Sequence, residues 1–287
     1  MTTLAEAIQK AAARLAAHKV PDARRDAELL LCHALGRDRA WLLVHMQDQL
    51  NAPGERVYEQ YIDRRAVREP LQYITGLQEF WGLPFIVTPD VLIPRPETEF
   101  VVEAALKAVR GNYSPVIVDL CTGSGCIAIS IAKELPGARV FATDRSDAAL
   151  DIAGKNALQN GVADRIQFLS GDLFIPLNRT DIVGRIDVIT ANPPYIRRDE
   201  LPVLQPEVRD FEPEVALIAG PSGTEIAERI IDAATAYLRS GGSLIMEMGF
   251  GQAEGLRSII EMTGRYQVTE ILKDLAGIER IIVAVKK

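Results

Sequence analysis

Positions 116–125 of the chain read VIVDLCTGSG. The β-branched run Val116–Leu120 predicts a buried strand, and the apolar residues from 126 to 135 predict a helix. The glycines between them permit a tight turn and let a ligand approach the backbone. A strand, a glycine-rich loop and a helix in this order are typical of the first unit of an α/β sheet that binds a nucleotide-like ligand.

Predicted strands and helices alternate from this stretch to the end of the chain. Further strands are predicted at 139–143, 166–169, 186–191, 244–248 and 281–285. Helices are predicted at 126–135, 147–160, 224–238 and 252–261, the second of them capped by Ser146. This alternation indicates parallel strand pairing with helices on both faces. We therefore expect an α/β fold with a doubly wound, mostly parallel sheet.

The part of the chain before this sheet has a different pattern. Apolar residues recur at helical spacing and are interrupted by Gly and Pro, which predicts a small helical domain at 1–72. The segment 73–96 predicts a β-hairpin connector with a Gly/Pro turn at 82–84, lying against both domains. A helix that opens at Glu97 begins the sheet domain, which we expect to span 97–287.

Composition bounds the class of protein. The chain has 287 residues, 48% of them hydrophobic and 25% charged, as is typical of a folded globular protein. The sequence has neither a visible signal peptide nor an apolar stretch of about 20 residues, so we expect a cytoplasmic protein without a membrane span. Its three cysteines fit neither a disulfide framework nor a zinc site. We expect reduced, buried cysteines and no metal site.

The charge balance bears on the partners of the protein. The formal net charge is -7 at pH 7, which argues against an extensive nucleic-acid surface. Arg64, Arg65 and Arg68 could touch a phosphate backbone locally, but their spacing is more typical of a solvated helix face. We therefore expect no stable nucleic-acid binding.

Acidic residues follow three of the predicted strands. Asp119 closes the first strand, where a carboxylate can accept a hydrogen bond from the ammonium group of a methionine moiety and would repel a pyrophosphate. Asp144 ends the second strand, at the position of an acid that binds ribose hydroxyls. Asp172 and Leu173 follow the third strand and suit the amine and the apolar face of an adenine ring, although a turn cap explains Asp172 equally well. Together these residues favour S-adenosylmethionine over NAD.

The strand at 186–191 is followed directly by Asn192, Pro193, Pro194 and Tyr195. If the Asn192 side-chain carbonyl and the Pro193 backbone carbonyl each accept one N–H, a planar nitrogen is held with its lone pair aimed at a methyl donor. Pro193 and Pro194 offer no backbone donor, and Tyr195 would stack on the planar acceptor group. All three histidines precede position 46, so we expect no histidine base and a proton released to water.

With these motifs the whole chain resembles the HemK/PrmC family, the N5-glutamine methyltransferases that modify peptide chain release factors. The resemblance rests on the loop from Asp119 to Gly125, on the motif from Asn192 to Tyr195, and on several other segments. These segments are EPLQYITG at 69–76, EFWGL at 79–83, IPRPETE at 93–99, GG at 241–242 and DLAG at 274–277.

The resemblance implies a fold and an activity. The fold is a Rossmann-like, class I S-adenosylmethionine-dependent methyltransferase with a seven-stranded sheet. The activity is methyl transfer from S-adenosylmethionine to the side-chain amide of the glutamine in the Gly-Gly-Gln motif of a release factor, which modulates translation termination. The helical domain at 1–72 is expected to bind the release factor, and we expect the enzyme to be a monomer.

The resemblance also implies site residues, carried over position by position. The residues that would bind the cofactor are Asp119, Cys121, Thr122, Gly123, Ser124, Gly125, Cys126, Asp144, Asp172, Leu173 and Asn192. The residues that would bind the substrate glutamine are Asn192, Pro193, Pro194 and Tyr195, with Asn192 and Pro193 as the catalytic pair. Two positions depart from the family pattern: position 121 is commonly glycine, and position 173 can carry a large aromatic side chain.

Two other functions would use the same motifs. A DNA or RNA amino-methyltransferase would hold a flipped base with positions 192–195, and would need a basic channel. A dehydrogenase or a non-catalytic nucleotide-binding module would use the glycine loop, because Gly123-x-Gly125-x-x-Ala128 also matches a dinucleotide fingerprint. The segment 196–222 has two interpretations, a lid or a partner-docking loop.

Overall fold

The structure, a computed structural model, describes residues 2–287 except for the side chains at positions 268 and 269. Met1, the first residue of the predicted helical domain, lies outside the described residues. The chain divides into two compact units. Unit 1 contains the residues up to Leu77 together with Gln205–Phe211, and unit 2 contains Gln78–Leu204 and Glu212–Lys287. Among the residues described, no helix has both the length and the apolar character needed to cross a membrane.

The helices and strands are numbered in chain order. The α-helices are α1 Leu4–Ala17, α2 Ala23–Leu35, α3 Arg39–Val44, α4 Ala52–Ala66, α5 Leu71–Thr75, α6 Glu99–Ala108, α7 Cys126–Glu134, α8 Asp147–Gln159, α9 Pro206–Phe211, α10 Glu214–Leu217, α11 Glu225–Tyr237 and α12 Ala253–Met262. The strands are β1 Leu77–Phe80, β2 Leu83–Ile86, β3 Val116–Leu120, β4 Arg139–Asp144, β5 Ile166–Ser170, β6 Ile186–Ala191, β7 Ile196–Arg197, β8 Ile218–Gly220, β9 Leu238–Glu247, β10 Tyr266–Lys273 and β11 Glu279–Lys286. Short 3-10 helices lie at Pro96–Thr98, Ala163–Arg165, Ile175–Arg179 and Arg198–Val203.

Unit 1 is a helical bundle with its own apolar core. Helix α1 begins with a capping box, in which the Thr3 hydroxyl accepts from the Glu6 backbone N–H and the Glu6 carboxylate accepts from the Thr3 N–H. Leu15, Leu30 and Leu31 are completely buried in the core that the helices share. The apolar residues that recur at helical spacing in the sequence are the residues that these helices bury.

The arginines of helix α4 and the turn after it are held by ion pairs within unit 1. Arg65 is only 5% exposed and donates to Asp26 at 2.8 Å and to Glu207 at 2.9 Å. Arg68 donates to both oxygens of Glu207, at 2.7 and 2.6 Å. The predicted solvated face is therefore wrong for Arg65 and Arg68, because carboxylates distant in sequence cover them.

Within the described residues of unit 2, seven strands form one sheet in the order β10–β11–β9–β6–β3–β4–β5. The pairs from β9 to β5 are parallel, and β11 pairs antiparallel with both β9 and β10. The predicted doubly wound, mostly parallel sheet is confirmed. The chain runs outward from β3 through β4 to β5 and then returns to β6, on the other side of β3. This reversal opens a crevice at the carboxyl ends of β3 and β6, where such sheets bind ligands.

Two strands differ from the sequence analysis. Strand β9 begins at Leu238 and not at 244. The Ser-Gly-Gly segment at 240–242 is an irregularity within this strand, because Leu238 pairs with Ile186 and Ser243 with Val188, and Gly241 has a φ of 72°. Strand β10 was not predicted, and it supplies the seventh strand at the edge of the sheet, paired only with β11. An antiparallel edge strand is half solvated and lacks the apolar run of a buried parallel strand.

The two faces of the sheet are covered by separate apolar clusters. Val118 and Ile189 point into the cluster on the side of α11 and α12, and Ile117 and Val188 point into the cluster on the side of α6 and α7. Successive residues of a strand face opposite sides, so a strand buried on both sides reads as a continuous apolar run. This is the pattern of β3 and β6.

The hairpin β1–β2 belongs with unit 2 from Gln78 onward. Its Phe80 and Phe85 are buried in the same cluster as helices α6 and α7, with their rings edge to face at 6.0 Å. The turn lies at Trp81 and Gly82, whose φ values are 56° and 68°, and not at the predicted 82–84. Two residues of positive φ match the right-handed twist of a hairpin.

Asn156 of helix α8 ties the hairpin to the glycine-rich loop. Its Oδ1 accepts from the Ile86 N–H at 2.7 Å, and its Nδ2 donates to the Ile86 carbonyl at 3.0 Å and to the Ser124 carbonyl at 2.9 Å. The side chain is fully buried. Both N–H groups and the oxygen of this amide thus hold the hairpin to the glycine-rich loop, which lines the cavity described below.

We expect Asn156→Ala to lower the free energy of unfolding by about 3 kcal/mol, because it removes the side-chain partner of the buried Ser124 carbonyl and of two part-buried backbone groups of Ile86. Chemical denaturation measures this change. Leu158→Ala on the same helix is the control, since Leu158 is 71% exposed and its truncation should leave stability nearly unchanged. Equal stability of the two variants would contradict the role assigned to Asn156.

Candidate active site

A cavity of about 360 Å³ lies at the carboxyl ends of the parallel strands. Residues that follow four neighbouring strands line it: Cys121 after β3, Asp144 at the end of β4, Asp172 after β5 and Asn192 after β6. The volume lies within the range of small-molecule and cofactor sites, about 300–1,000 Å³. The structure therefore brings together four predicted positions that are up to 71 residues apart in the sequence.

The glycine-rich loop of the cavity depends on its two glycines. A Cβ at Gly125 would lie 2.9 Å from the Ile129 side chain and 3.1 Å from Ala153, so a larger residue would push the loop away from helices α7 and α8. Gly123 has open space where a Cβ would stand, and it lines the cavity. Thr122, Ser124 and Cys126 line it as well.

Cys121 has a φ of 56°, in the left-handed region that favours glycine. Its side chain is half-buried, so the expectation of a buried cysteine is wrong at this position and right for Cys32 and Cys126. The departure from glycine at position 121 is thus accommodated in a left-handed conformation at the cavity wall, at the cost of local backbone strain.

Asp144 lines the cavity and fixes the loop opposite it. Its Oδ2 accepts from the Gly123 N–H and its Oδ1 accepts from the Ser146 N–H, both at 2.9 Å. Burial raises the pKa of this carboxyl, while the backbone N–H groups of Ser146, Gly123 and Arg145 act in the other direction. Ser146 caps helix α8 as predicted, accepting from the Ala149 N–H. Each carboxylate oxygen keeps a free lone pair for a ligand hydroxyl.

Asp119 is fully buried, and it is absent from the described residues that line the cavity. Its oxygens accept from the Thr122 hydroxyl at 2.6 Å and from the Thr190 hydroxyl at 2.8 Å. Burial raises its pKa to about 7. Contact of this carboxylate with a ligand ammonium group remains a prediction. Thr122, which donates to Asp119, lines the cavity itself.

Asp172 and Leu173 both line the cavity. The carboxylate of Asp172 is engaged by the Arg229 guanidinium from helix α11. Leu173 is 8% exposed with a φ of 47°, and its carbonyl accepts from the Thr143 hydroxyl at 3.0 Å. Arg229 and Thr143 thus fix the turn that contains these two residues.

Only some of the residues at 192–195, the predicted acceptor motif, line the cavity in the part of the chain that the structure describes. Asn192 and Pro194 line the cavity, whereas Pro193 and Tyr195 are not among the described lining residues. Pro193 is buried. The Tyr195 hydroxyl donates to Glu247 at 3.3 Å, so its phenol group is engaged away from the cavity. Stacking of Tyr195 on an acceptor remains a prediction.

Two residues that hold Asn192 were not predicted from the sequence: Thr98, which also lines the cavity, and the buried Glu247. The Asn192 Nδ2 donates to the Thr98 hydroxyl at 3.1 Å, and that hydroxyl donates to Glu247 at 2.6 Å. Glu247 ends β9, which pairs with β6 so that Met246 lies opposite Ala191. The next residues, Glu247 at the end of β9 and Asn192 directly after β6, therefore lie side by side at the edge of the sheet. The available signal was a single acid, Glu247, within the apolar run at 244–248.

Part of the segment 196–222 forms a wall of the cavity. Its lining residues are Arg198, Pro213, Glu214, Val215, Ala216 and Ile218. Glu212, next to the lining residue Pro213, is buried and accepts from the Arg95 guanidinium at 2.6 Å and from the Ile93 N–H at 3.4 Å. The segment is thus fixed to the 93–95 stretch, which also contributes to the cavity.

Glu247 makes stability depend on pH. Burial raises its pKa from 4.5 to about 7, with Glu97 acting in the same direction and Thr98, Tyr195 and Arg280 against it. Between these pH values the folded state holds a proton that the unfolded state has lost, so this group's contribution to stability is greatest below pH 4.5 and declines as pH rises to about 7. Asp119, with a pKa raised to about 7, has the same sign.

We expect Glu247→Gln to reduce the fall in unfolding free energy from about pH 5 to about pH 8, because the substituted residue does not titrate. Denaturation curves across this range measure the fall. Glu261→Gln, at an exposed position of helix α12, should leave it unchanged. An identical pH dependence in wild type and Glu247→Gln would show that Glu247 is ionised throughout.

The sheet order, the glycine-rich loop and the cavity define a class I, Rossmann-like S-adenosylmethionine-dependent methyltransferase. The PrmC N-terminal domain family matches residues 6–76, and the methyltransferase small domain family matches residues 98–204. A release factor glutamine methyltransferase of Moorella thermoacetica is 42% identical, over 99% of this chain and 99% of that protein. One of Geobacter sulfurreducens is 43% identical, over 93% of this chain and 91% of that protein. The chain belongs to the release factor glutamine methyltransferase family.

A solved structure supports the fold alone. The crystal structure of the hMettl16 catalytic domain in complex with the MAT2A 3′UTR hairpin 6 superposes with a TM-score of 0.59 at 21% identity, covering 77% of this chain and 81% of that one. The predicted methyltransferase fold is confirmed by the sheet and by this likeness.

Membership of the family establishes the methyl donor. The chain is an enzyme that uses S-adenosylmethionine, as predicted, and the dehydrogenase alternative is not supported. The cavity fits this molecule, since it offers open space at Gly123, the carboxylates of Asp144 and Asp172 for polar groups, and Leu173 for an apolar ring face. In the part of the chain that the structure describes, no group of His, Cys, Asp or Glu is arranged to hold a metal ion.

Proposed function

We propose that the chain transfers a methyl group from S-adenosylmethionine to the side-chain amide nitrogen of the glutamine in the Gly-Gly-Gln motif of a peptide chain release factor, and so modulates translation termination. One observation carries the proposal: the amide of Asn192 opens into the same cavity as the glycine-rich loop. The names of the relatives at 42 and 43% identity support the substrate.

The cofactor supplies an electrophilic methyl group, and the chain's own residues hold the acceptor nitrogen. The Asn192 Nδ2 is used by Thr98, which leaves Oδ1 to accept an N–H of the glutamine amide. The Pro193 carbonyl would accept the other N–H. Both acceptors stabilise the positive charge that grows on nitrogen during transfer, and the fixed nitrogen reacts without a bimolecular encounter.

No strong base is required in this reaction. The three histidines, His18, His33 and His45, belong to unit 1. An amide nitrogen becomes acidic once it has been methylated and carries positive charge, so water can take the proton afterwards. Positioning and electrostatic stabilisation thus account for the catalysis.

Incubation with S-adenosylmethionine and a purified release factor tests the function. We expect mass spectrometry to find one added methyl group on the glutamine of the Gly-Gly-Gln peptide. DNA and RNA serve as parallel substrates, with no incorporation expected. Methyl transfer to a nucleic acid and none to the release factor would reverse the assignment.

We expect Asn192→Ala to abolish methyl transfer and to leave the affinity for S-adenosylmethionine within a few-fold of wild type, because the residue serves mainly the acceptor. Radiolabelled methyl incorporation and calorimetry measure the two quantities. Asn178→Ala, at an exposed position outside the described cavity lining, is the matched control. Full activity of the Asn192→Ala variant would refute the role of the amide.

The finer assignments of partners and location are part of the same proposal. The enzyme acts as a monomer in the cytoplasm, where its substrate functions, and binds no nucleic acid stably. The net charge of -7 and the internal pairing of Arg65 and Arg68 support the last point. We further propose that the helical domain at 1–72 contacts the release factor. A lower KM for the whole factor than for its Gly-Gly-Gln peptide would support this contact, and equal values would oppose it.

A further inference from the structure

A buried chain of hydrogen bonds stands behind the amide of Asn192. It runs from the Asn192 Nδ2 to the Thr98 hydroxyl at 3.1 Å, and from there to the Glu247 Oε2 at 2.6 Å. The other oxygen of Glu247 accepts from the Tyr195 hydroxyl at 3.3 Å. Thr98 is 1% and Glu247 2% exposed, so water does not compete for these groups.

The direction of each hydrogen bond follows from the chemistry of the groups. A threonine hydroxyl has one hydrogen, and at Thr98 the ionised form of the Glu247 carboxyl, which prevails above its pKa of about 7, accepts it. The same oxygen can then only accept from Asn192, so it must face the NH2 group of the amide. The carbonyl Oδ1 of Asn192 is consequently the end that remains for the cavity.

This orientation matters because the two ends of an asparagine amide have nearly the same shape but opposite hydrogen-bonding character. The acceptor in the proposed reaction is itself an NH2 group. If the Asn192 amide were flipped, its NH2 group would face the NH2 group of the substrate amide. The substrate would then meet a hydrogen-bond donor where it needs an acceptor. Packing does not distinguish the two orientations of the Asn192 amide, because its oxygen and NH2 group have nearly the same shape, whereas hydrogen bonds do distinguish them.

We propose that Thr98 and Glu247 are positioning residues that set the orientation of the Asn192 amide, so that its carbonyl oxygen faces the substrate. The inference rests on the proposed function and deepens it. Glu247 acts through Thr98, and Tyr195 holds the second oxygen of the carboxylate in place.

The chain of hydrogen bonds also has an electrostatic effect. Hydrogen bonds in a buried chain polarise one another, so above the raised pKa of Glu247, about 7, its negative charge is felt through Thr98 at the Asn192 carbonyl. That oxygen becomes a better acceptor for an N–H whose nitrogen is gaining positive charge. The charged neighbours of Glu247 are Glu97 and Arg280.

Kinetics of Thr98 variants test the proposal. Thr98→Val keeps the shape of the side chain and removes the hydroxyl, and we expect kcat for release factor methylation to fall by about 100-fold, the cost of misplacing a reacting group. Thr98→Ser restores the hydroxyl and should recover kcat to within a few-fold of wild type. Affinity for S-adenosylmethionine should stay unchanged in both variants.

Thr235→Val is the matched control. Thr235 is buried and its hydroxyl accepts from Arg265 at 3.1 Å, but it lies outside the described cavity lining. This variant should lose stability without losing kcat. A wild-type kcat in Thr98→Val, or a loss in Thr98→Ser equal to that in Thr98→Val, would overturn the positioning role.

A neutron structure of the wild-type protein gives a readout that needs no activity. We expect deuterium on the Asn192 amide nitrogen facing Thr98, and the opposite orientation would overturn the proposal even if Thr98→Val did not fold. The two levels of inference fail differently. A wild-type enzyme that leaves release factors unmethylated contradicts the function, whereas an active wild type with an equally active Thr98→Val contradicts only the positioning role.

Discussion

The parallel pairing of β3 with β6 places Leu120 opposite Ala191, so the two strands end together. The loop that begins at Cys121 and the motif that begins at Asn192 therefore open into one cavity. On the far side of β6, the pairing with β9 places Glu247, the last residue of that strand, beside Asn192. Donor and acceptor sites meet because the strand register aligns them, although 70 residues separate them along the chain.

Buried polar groups support the cavity from behind. A buried carboxylate is costly unless donors satisfy it, and hydroxyl groups meet this need at Asp119 and at Glu247. Asn156 does the same for backbone groups of the hairpin and the glycine-rich loop. Each of these groups lowers the freedom of a residue that lines the cavity. The protein thus accepts a stability cost for a site of defined geometry.

The charge distribution agrees with a protein substrate. The arginine cluster that could have served a phosphate backbone is occupied within unit 1, since Glu207 and Asp26 take the guanidinium groups of Arg65 and Arg68. The segment that supplies Glu207 is far from the cluster in sequence, and no local pattern announces the pairing. The spacing of the arginines therefore predicted a solvated helix face, where the structure has a network of ion pairs.

The alternation of strands and helices, the glycine-rich loop and the position of Asn192 at a strand end could be predicted from the amino-acid sequence, because they depend on local periodicity and on residues adjacent in the chain. The burial of Asp119 outside the cavity lining, the hydrogen bond from Tyr195 to Glu247 and the hydrogen bond from Asn192 to Thr98 could not be predicted in this way. They follow from strand register and burial in the folded protein, which bring together residues up to 149 positions apart.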